Sequence, residues 1–228
     1  MNYLSHYYAD LSYHHPAFAL GKVLPDFARI VDKRLRFRLK KLPDSGDEVL
    51  HLIHLGIRSH YRADAWFHNS EYFKTRTAEI QRILRGLRLE GIRKYYYFYA
   101  HILLEMLLDR LLVTEHFPVA QQFYADLDHC PEEWLVRYAG FHRLGSQTAE
   151  ELAAVVSRFR HARYLFDYTR NEGLVFAFNR IIQRAGLPAF SEEDNARLAG
   201  SLQEMCDVAM QGFPTIFEHI RIYLANDA

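Results

Sequence analysis

The stretch His54-Leu-Gly-Ile-Arg-Ser-His60-Tyr-Arg-Ala-Asp64-Ala-Trp-Phe-His68 decides how the chain is read. Residues four apart on an α-helix stand one above the other, so His60, Asp64 and His68 form one polar stripe beside Ile57, Ala65 and Phe67. Arg58 and Arg62 lie on the adjacent strip. The apolar positions Val49, Leu52, Ile53, Ile57 and Tyr61 recur at helical spacing and predict a helix from about 48 to 68. Before it comes the turn cluster Pro43-Asp-Ser-Gly-Asp47, in which Ser45 or Asp47 is the candidate cap. The stripe has two readings: a solvated face with hydrogen-bonded histidines, or a set of metal ligands.

A second segment repeats the pattern. From about Lys94 the sequence runs Tyr-Tyr-Tyr-Phe-Tyr-Ala-His101-Ile-Leu-Leu-Glu105-Met-Leu-Leu-Asp109-Arg110, again with polar residues four apart but now among strongly apolar neighbours. Carboxylates are seldom fully buried unless paired or metal-bound. Two helices that each carry a His/carboxylate triad are the means by which helical bundles build internal metal sites. The competing reading is an ion-pair lattice in which Arg58, Arg62 and Arg110 neutralise the acids. Of the two, the metal site is preferred.

Outward from these helices, glycine and proline mostly separate long periodic segments, and strand-like alternation is rare. An all-α, single-domain helical bundle over residues 1–228 is therefore expected. Further helices are expected near 70–86, 119–127, 131–143, 148–165, 168–185, 192–211 and 215–225. His14 and His15 read as loop residues, Pro16 as a turn or first helical position, and Pro25 as the start of a new helix with Asp26 near its positive end. With 50% apolar and 25% charged residues the composition is that of a folded domain. Cys130 and Cys206 are far apart, so neither a disulfide framework nor a zinc knuckle is indicated and a cytoplasmic setting is expected. No segment is long and apolar enough to read as a membrane span. Residues 1–100 hold 17 Lys and Arg against 10 Asp and Glu, and the remainder 11 against 18. That asymmetry weakens a nucleic-acid reading and leaves the basic run Lys33 to Lys41 as a surface for an acidic partner.

Several motifs together resemble a known family. Asn2-Tyr-Leu-Ser-His6, Gly21-x-x-x-x-Asp26-Phe27, Gly56-Ile-x-x-His60-x-x-x-Asp64, and Glu105-x-x-x-Asp109 followed by Leu111-Leu112 are similar in order and spacing to the acyl carrier protein phosphodiesterases. Trp134-Leu-x-Arg-Tyr138 and Phe213-Pro-x-x-Phe217 add shorter matches. The resemblance implies an HD-phosphohydrolase-like helical fold, a divalent metal with Mn²⁺ the expected ion, and hydrolysis of the phosphodiester between 4′-phosphopantetheine and a serine of holo-acyl carrier protein. It also implies metal ligands among His6, Asp26, His60, Asp64, Glu105 and Asp109, with Asp26, His60, Asp64 and Asp109 as the catalytic set. Arg58 or Arg62 would steady the phosphate, and Lys33, Arg34 and Arg36 would receive the acidic carrier protein. The chain departs from the family at Arg110, which stands where a histidine is expected, at His68 in place of an acid, and at Lys22 in place of an asparagine. A shifted register matches His101 and Glu105 to the family's two acids and Met106 to its histidine. Two alternatives stand beside this reading: a non-catalytic binding protein of the same fold, and a phosphohydrolase acting on another phosphodiester such as a small nucleotide.

Overall fold

The computed structural model describes residues 1–39, 46–92 and 94–226. Lys40 and Lys41 of the basic run, and the turn residues 43–45, lie outside the described residues. All the regular structure within them is helical: α1 (Tyr3–Ala9), α2 (Pro16–Val31), α3 (Glu48–Asn69), α4 (Glu71–Leu87), α5 (Tyr96–Glu115), α6 (Phe117–Asp128), α7 (Glu132–Phe141), α8 (Ser146–Ala162), a 3₁₀ helix (Tyr164–Thr169), α9 (Asn171–Arg184), α10 (Glu192–Met210) and α11 (Phe213–Ala225). None of these helices is long and apolar enough to cross a membrane.

Local chemistry explains most boundaries. Asp47 caps α3 by accepting from the Leu50 amide, Ser70 caps α4 through Phe73, and Ser191 caps α10 through Asp194. Pro16, Pro118 and Pro214 occupy first-turn positions, where a missing N–H costs nothing. His15 is not a plain loop residue: its Nδ1 accepts from the Ala17 amide and caps α2.

Pro25 corrects the sequence reading, because it lies inside a continuous α2 rather than at the start of a new helix. The missing N–H deprives the Gly21 carbonyl of its helical partner. Tertiary packing overrides this penalty, since α2 and α3 form the most extensive helix pair in the fold. Their backbones meet at two glycines. A Cβ on Gly21 would stand 2.2 Å from the Ile53 carbonyl oxygen, and one on Gly56 would stand 2.4 Å from that of Phe18.

Helix α5 is mainly apolar apart from its His101/Glu105/Asp109 stripe and Arg110, and Leu103, Leu104, Leu107 and Leu108 are wholly buried among its neighbours. Against it lies the short α1, pinned at both ends. The carboxylate of Asp109 accepts from the Leu4 and Ser5 amides and from Ser5 Oγ at 3.1, 2.8 and 2.7 Å, capping α1 from a distant helix. At the other end the buried ammonium of Lys22 donates to the carbonyls of Tyr7 and Asp10 at 2.9 and 2.5 Å and sits over the Tyr7 ring. Burial pushes the Lys22 ammonium down to about 7, against the attraction of Asp10 and Asp126.

Two consequences are measurable. At an open helical position Gly→Ala gains about 1 kcal/mol, whereas Gly56→Ala is expected to lose about 1–3 kcal/mol in urea unfolding because the backbones must part. For Lys22, the folded chain releases its proton near pH 7 and the unfolded chain near 10.5. Between those values the unfolded state binds more protons, so stability rises with pH, and the full penalty applies below pH 7. Subtracting the pH profile of Lys22→Met from that of the native chain should isolate this slope; parallel profiles would exclude it.

Candidate metal centre

Three helices converge on one point, and Glu105 of a fourth stands beside it. His6 comes from α1, Asp26 from α2, His60 and Asp64 from α3, and Glu105 from α5. His60 is set first, because its Nδ1 lies 2.7 Å from the Lys22 carbonyl oxygen, just past the glycine crossing. A carbonyl only accepts, so Nδ1 carries the proton and the Nε2 lone pair of the neutral ring is left for another partner. It points toward Asp26 Oδ1 and Asp64 Oδ2, 4.0 and 3.9 Å away. Burial, reinforced by His6, holds His60 well below the usual imidazole range and hence neutral. The His6 ring stacks on it with centroids 3.7 Å apart. Burial also lowers His6, while Asp64 opposes the shift.

Three buried ligand atoms at this point lack a hydrogen bond: Nδ1 and Nε2 of His6 and Oδ2 of Asp26. His6 Nε2 stands 3.2 Å from Asp64 Oδ1, but the alignment does not make a bond. Such orphaned groups are costly in a folded interior. His6, Asp26 and His60 each offer a ligand atom within 4.8 Å of the others, with Asp64 alongside. Two imidazoles and carboxylate oxygens form a donor set suited to a first-row divalent ion, so the residues fit the metal that the motifs imply.

The carboxylates divide in charge state. Burial, then the neighbouring Asp64 and Glu105, push Asp26 well above the usual range. Burial would raise Asp64 and Glu105 too, but the Met1 amino group and nearby histidines hold both well below it. That amino group is 2.6 Å from Asp64 Oδ1 and 2.9 Å from Glu105 Oε1. Further along the same faces, His68 and His101 meet at Glu105, with all three ligand atoms close together.

Some expected site residues lie elsewhere. Asp109 is not at the convergence point: its oxygens are taken up by the start of α1, and its effect on the site is to place His6. Arg110 donates to Asn171 Oδ1 on α9 and faces away. The structure thus places His101 and Glu105, not Glu105 and Asp109, toward α3. Arg62 donates to the Tyr223 and Leu224 carbonyls, and with Arg58 it lines a separate pocket beside Asp10 and Leu224. Arg34 pairs with Asp32, and Arg36 donates to the carbonyls of Lys33 and Leu35. Lys33 alone of the expected phosphate and partner cations lines the cleft over the site.

That cleft has a volume of about 380 Å³, and Asp26 and Glu105 form part of its wall together with Tyr3 and Met106. Its cations are Arg29, Lys33 and Arg184. Sequence reasoning missed two of them. Arg29 lies one helical turn beyond Asp26, a spacing that could have marked it, whereas nothing local to Arg184 connects α9 with α2. Comparison with family models, with curated proteins and with solved structures finds no match to this chain.

If the convergence is a metal centre, Mn²⁺ at 100 times its Kd should stabilise the fold by about 2.7 kcal/mol. Asp26→Asn and His60→Ala should each reduce that gain in thermal unfolding. An unchanged midpoint at millimolar Mn²⁺ would remove the metal from the reading.

Proposed function

We propose that the protein is a divalent-metal-dependent phosphodiesterase that releases 4′-phosphopantetheine from the serine of a holo-acyl carrier protein. The observation that carries the reading is the meeting of His6, Asp26 and His60, with unpartnered atoms on His6 and Asp26, behind a cleft that Asp26 lines and that bears Arg29, Lys33 and Arg184. The ordered motifs from Asn2 to Asp109 supply the substrate class. His6, Asp26, His60 and Asp64 would hold the ion. When bound, the metal supplies positive charge that polarises a phosphoryl oxygen and makes water a better nucleophile.

The chain's own residues do the rest. Lys22 fixes the His60 ring through its carbonyl, so the Nε2 lone pair is preset without a proton. Arg29 and Arg184 present guanidinium groups whose planar donors match the paired oxygens of a phosphodiester. Lys33 adds a point charge at the same mouth. A second cavity of about 520 Å³, lined by Tyr164, Tyr168 and Phe176, shares Ile181 and Arg184 with the cleft and suits an extended, partly apolar arm. Exposed Lys33, Arg34 and Arg36 at the end of α2 form the surface offered to an acidic carrier protein, whose association should weaken with salt.

Incubating the purified chain with holo-acyl carrier protein and Mn²⁺, followed by intact-mass measurement, tests this directly. Conversion to the apo form is expected, slowed at least about 100-fold in His60→Ala. Arg184→Ala should raise KM about tenfold, as loss of one charged hydrogen bond to phosphate does. An unchanged carrier mass at high enzyme concentration would overturn the substrate. Cleavage of a general phosphodiester in the same sample would then point to a smaller substrate.

A further inference from the structure

We infer that His68, His101 and Glu105 form a second binding site, for a first-row divalent transition ion, beside the His6/Asp26/His60 centre and distinct from it. The inference does not depend on the phosphodiesterase reading. Its geometry is a near-equilateral triangle of ligand atoms: His68 Nε2 to His101 Nε2 is 3.0 Å, His68 Nε2 to Glu105 Oε1 is 3.1 Å, and His101 Nε2 to Glu105 Oε1 is 2.9 Å. Bonds of about 2.1 Å to an octahedral ion give cis ligand separations of about 3.0 Å, whereas a tetrahedral ion would spread them to about 3.4 Å. The triangle therefore has the dimensions of one octahedral face.

Proton positions point the same way. His68 Nδ1 lies 2.8 Å from the Asp64 carbonyl oxygen. That carbonyl only accepts, so Nδ1 of His68 carries a proton, and in the tautomer protonated there alone Nε2 turns a bare lone pair to the triangle. Glu105 Oε1 is an acceptor as well. Glu105 Oε1 also accepts from the Met1 amino group at 2.9 Å, whereas the edge between the two Nε2 atoms joins two ring nitrogens that a cation at the centre of the triangle would satisfy together. The Asp64 carbonyl is the kind of outer partner that fixes the tautomer and orientation of a metal-bound histidine. Phe73 completes the mounting, its ring packing edge-on against His68 and His101 at 4.8 and 4.9 Å.

Access and ligand type then choose the ion. The side chains of His68 and His101 are about a third exposed, at 31% and 30%, so an ion can enter from solvent. Two imidazoles and one carboxylate on one face suit Mn²⁺, Fe²⁺ or Co²⁺; Mg²⁺ and Ca²⁺ prefer all-oxygen sites. Asp64 links the two centres, with its side chain beside His6 and its carbonyl orienting His68.

The test is a Co²⁺ titration of the full chain after chelator treatment, followed by visible absorption and by metal content. The native chain should bind two equivalents, with the weak absorption of six-coordinate Co²⁺. His101→Gln and His68→Asn alter partly exposed positions, and circular dichroism verifies their fold; each should bind one equivalent, the second site weakened more than about 100-fold. His60→Ala should likewise bind one. A single equivalent that survives both His101→Gln and His68→Asn would overturn the second site and leave the first intact. A single equivalent that survives His60→Ala but not His101→Gln would overturn the phosphodiesterase centre and leave this one.

Discussion

The close approach of α2 and α3 at Gly21 and Gly56 is the constraint on which the rest depends. With no side chain at either position the backbones touch, and the next residue, Lys22, brings its carbonyl within 2.7 Å of the His60 ring. One turn beyond the crossing, Asp26 and His60 face each other across the same interface. Any residue larger than glycine would push the helices apart and move both together. The energetic weight of the contact lies in the apolar side chains around it, with Leu20, Val23, Leu24 and Phe27 on one helix and Ile53 and Ile57 on the other nearly all removed from solvent. Its functional weight lies in the register that it imposes on two polar residues.

Around that crossing the protein holds several charged groups wholly or partly out of water, and two of them serve the ends of α1. Asp109 is buried because it supplies the cap that Asn2 does not, so α1 begins where α5 dictates. Lys22 is buried because α1 ends in carbonyls that need a donor. These two charges clamp a seven-residue helix whose own length could not stabilise it. His6 is delivered against His60 by that clamp. Asp26, Asp64 and Glu105 are different, since their crowding is not resolved by helix ends and raises the cost of ionising Asp26. Three carboxyl groups are gathered there, whereas Arg29, Lys33 and Arg184 line the cleft beside them.

Much of the architecture was legible in the residues. The helical spacing of apolar positions gave the helices from α3 to α11 close to their limits, and Asp47 and Pro16 marked two starts. Pro25 was misread, because a proline is a local stop signal and only the packing of α2 on α3 makes an uninterrupted helix worth its lost hydrogen bond. At the site, the four-residue spacing of His60, Asp64 and His68 placed them on one face as expected. The same spacing misled at Asp109: it shares a stripe with Glu105 but sits one turn further along, where α1 rather than α3 lies against it.

By itself, then, the sequence determined that the chain is helical, where most helices begin and end, and that two of them carry histidine and carboxylate stripes, because these follow from hydrogen-bonding and periodicity within a few residues. Only the tertiary structure decided which stripes meet. It separated Asp109 and Arg110 from the convergence, turned Arg62 toward the C-terminal helix, and brought Arg184 to the cleft from a helix more than a hundred residues away from Asp64. It also divided the polar residues of α3 between two neighbouring clusters. Spacing along one helix fixes a direction about its own axis, but the partner met in that direction is set by helix crossings, and here by two glycines that let one pair of backbones touch.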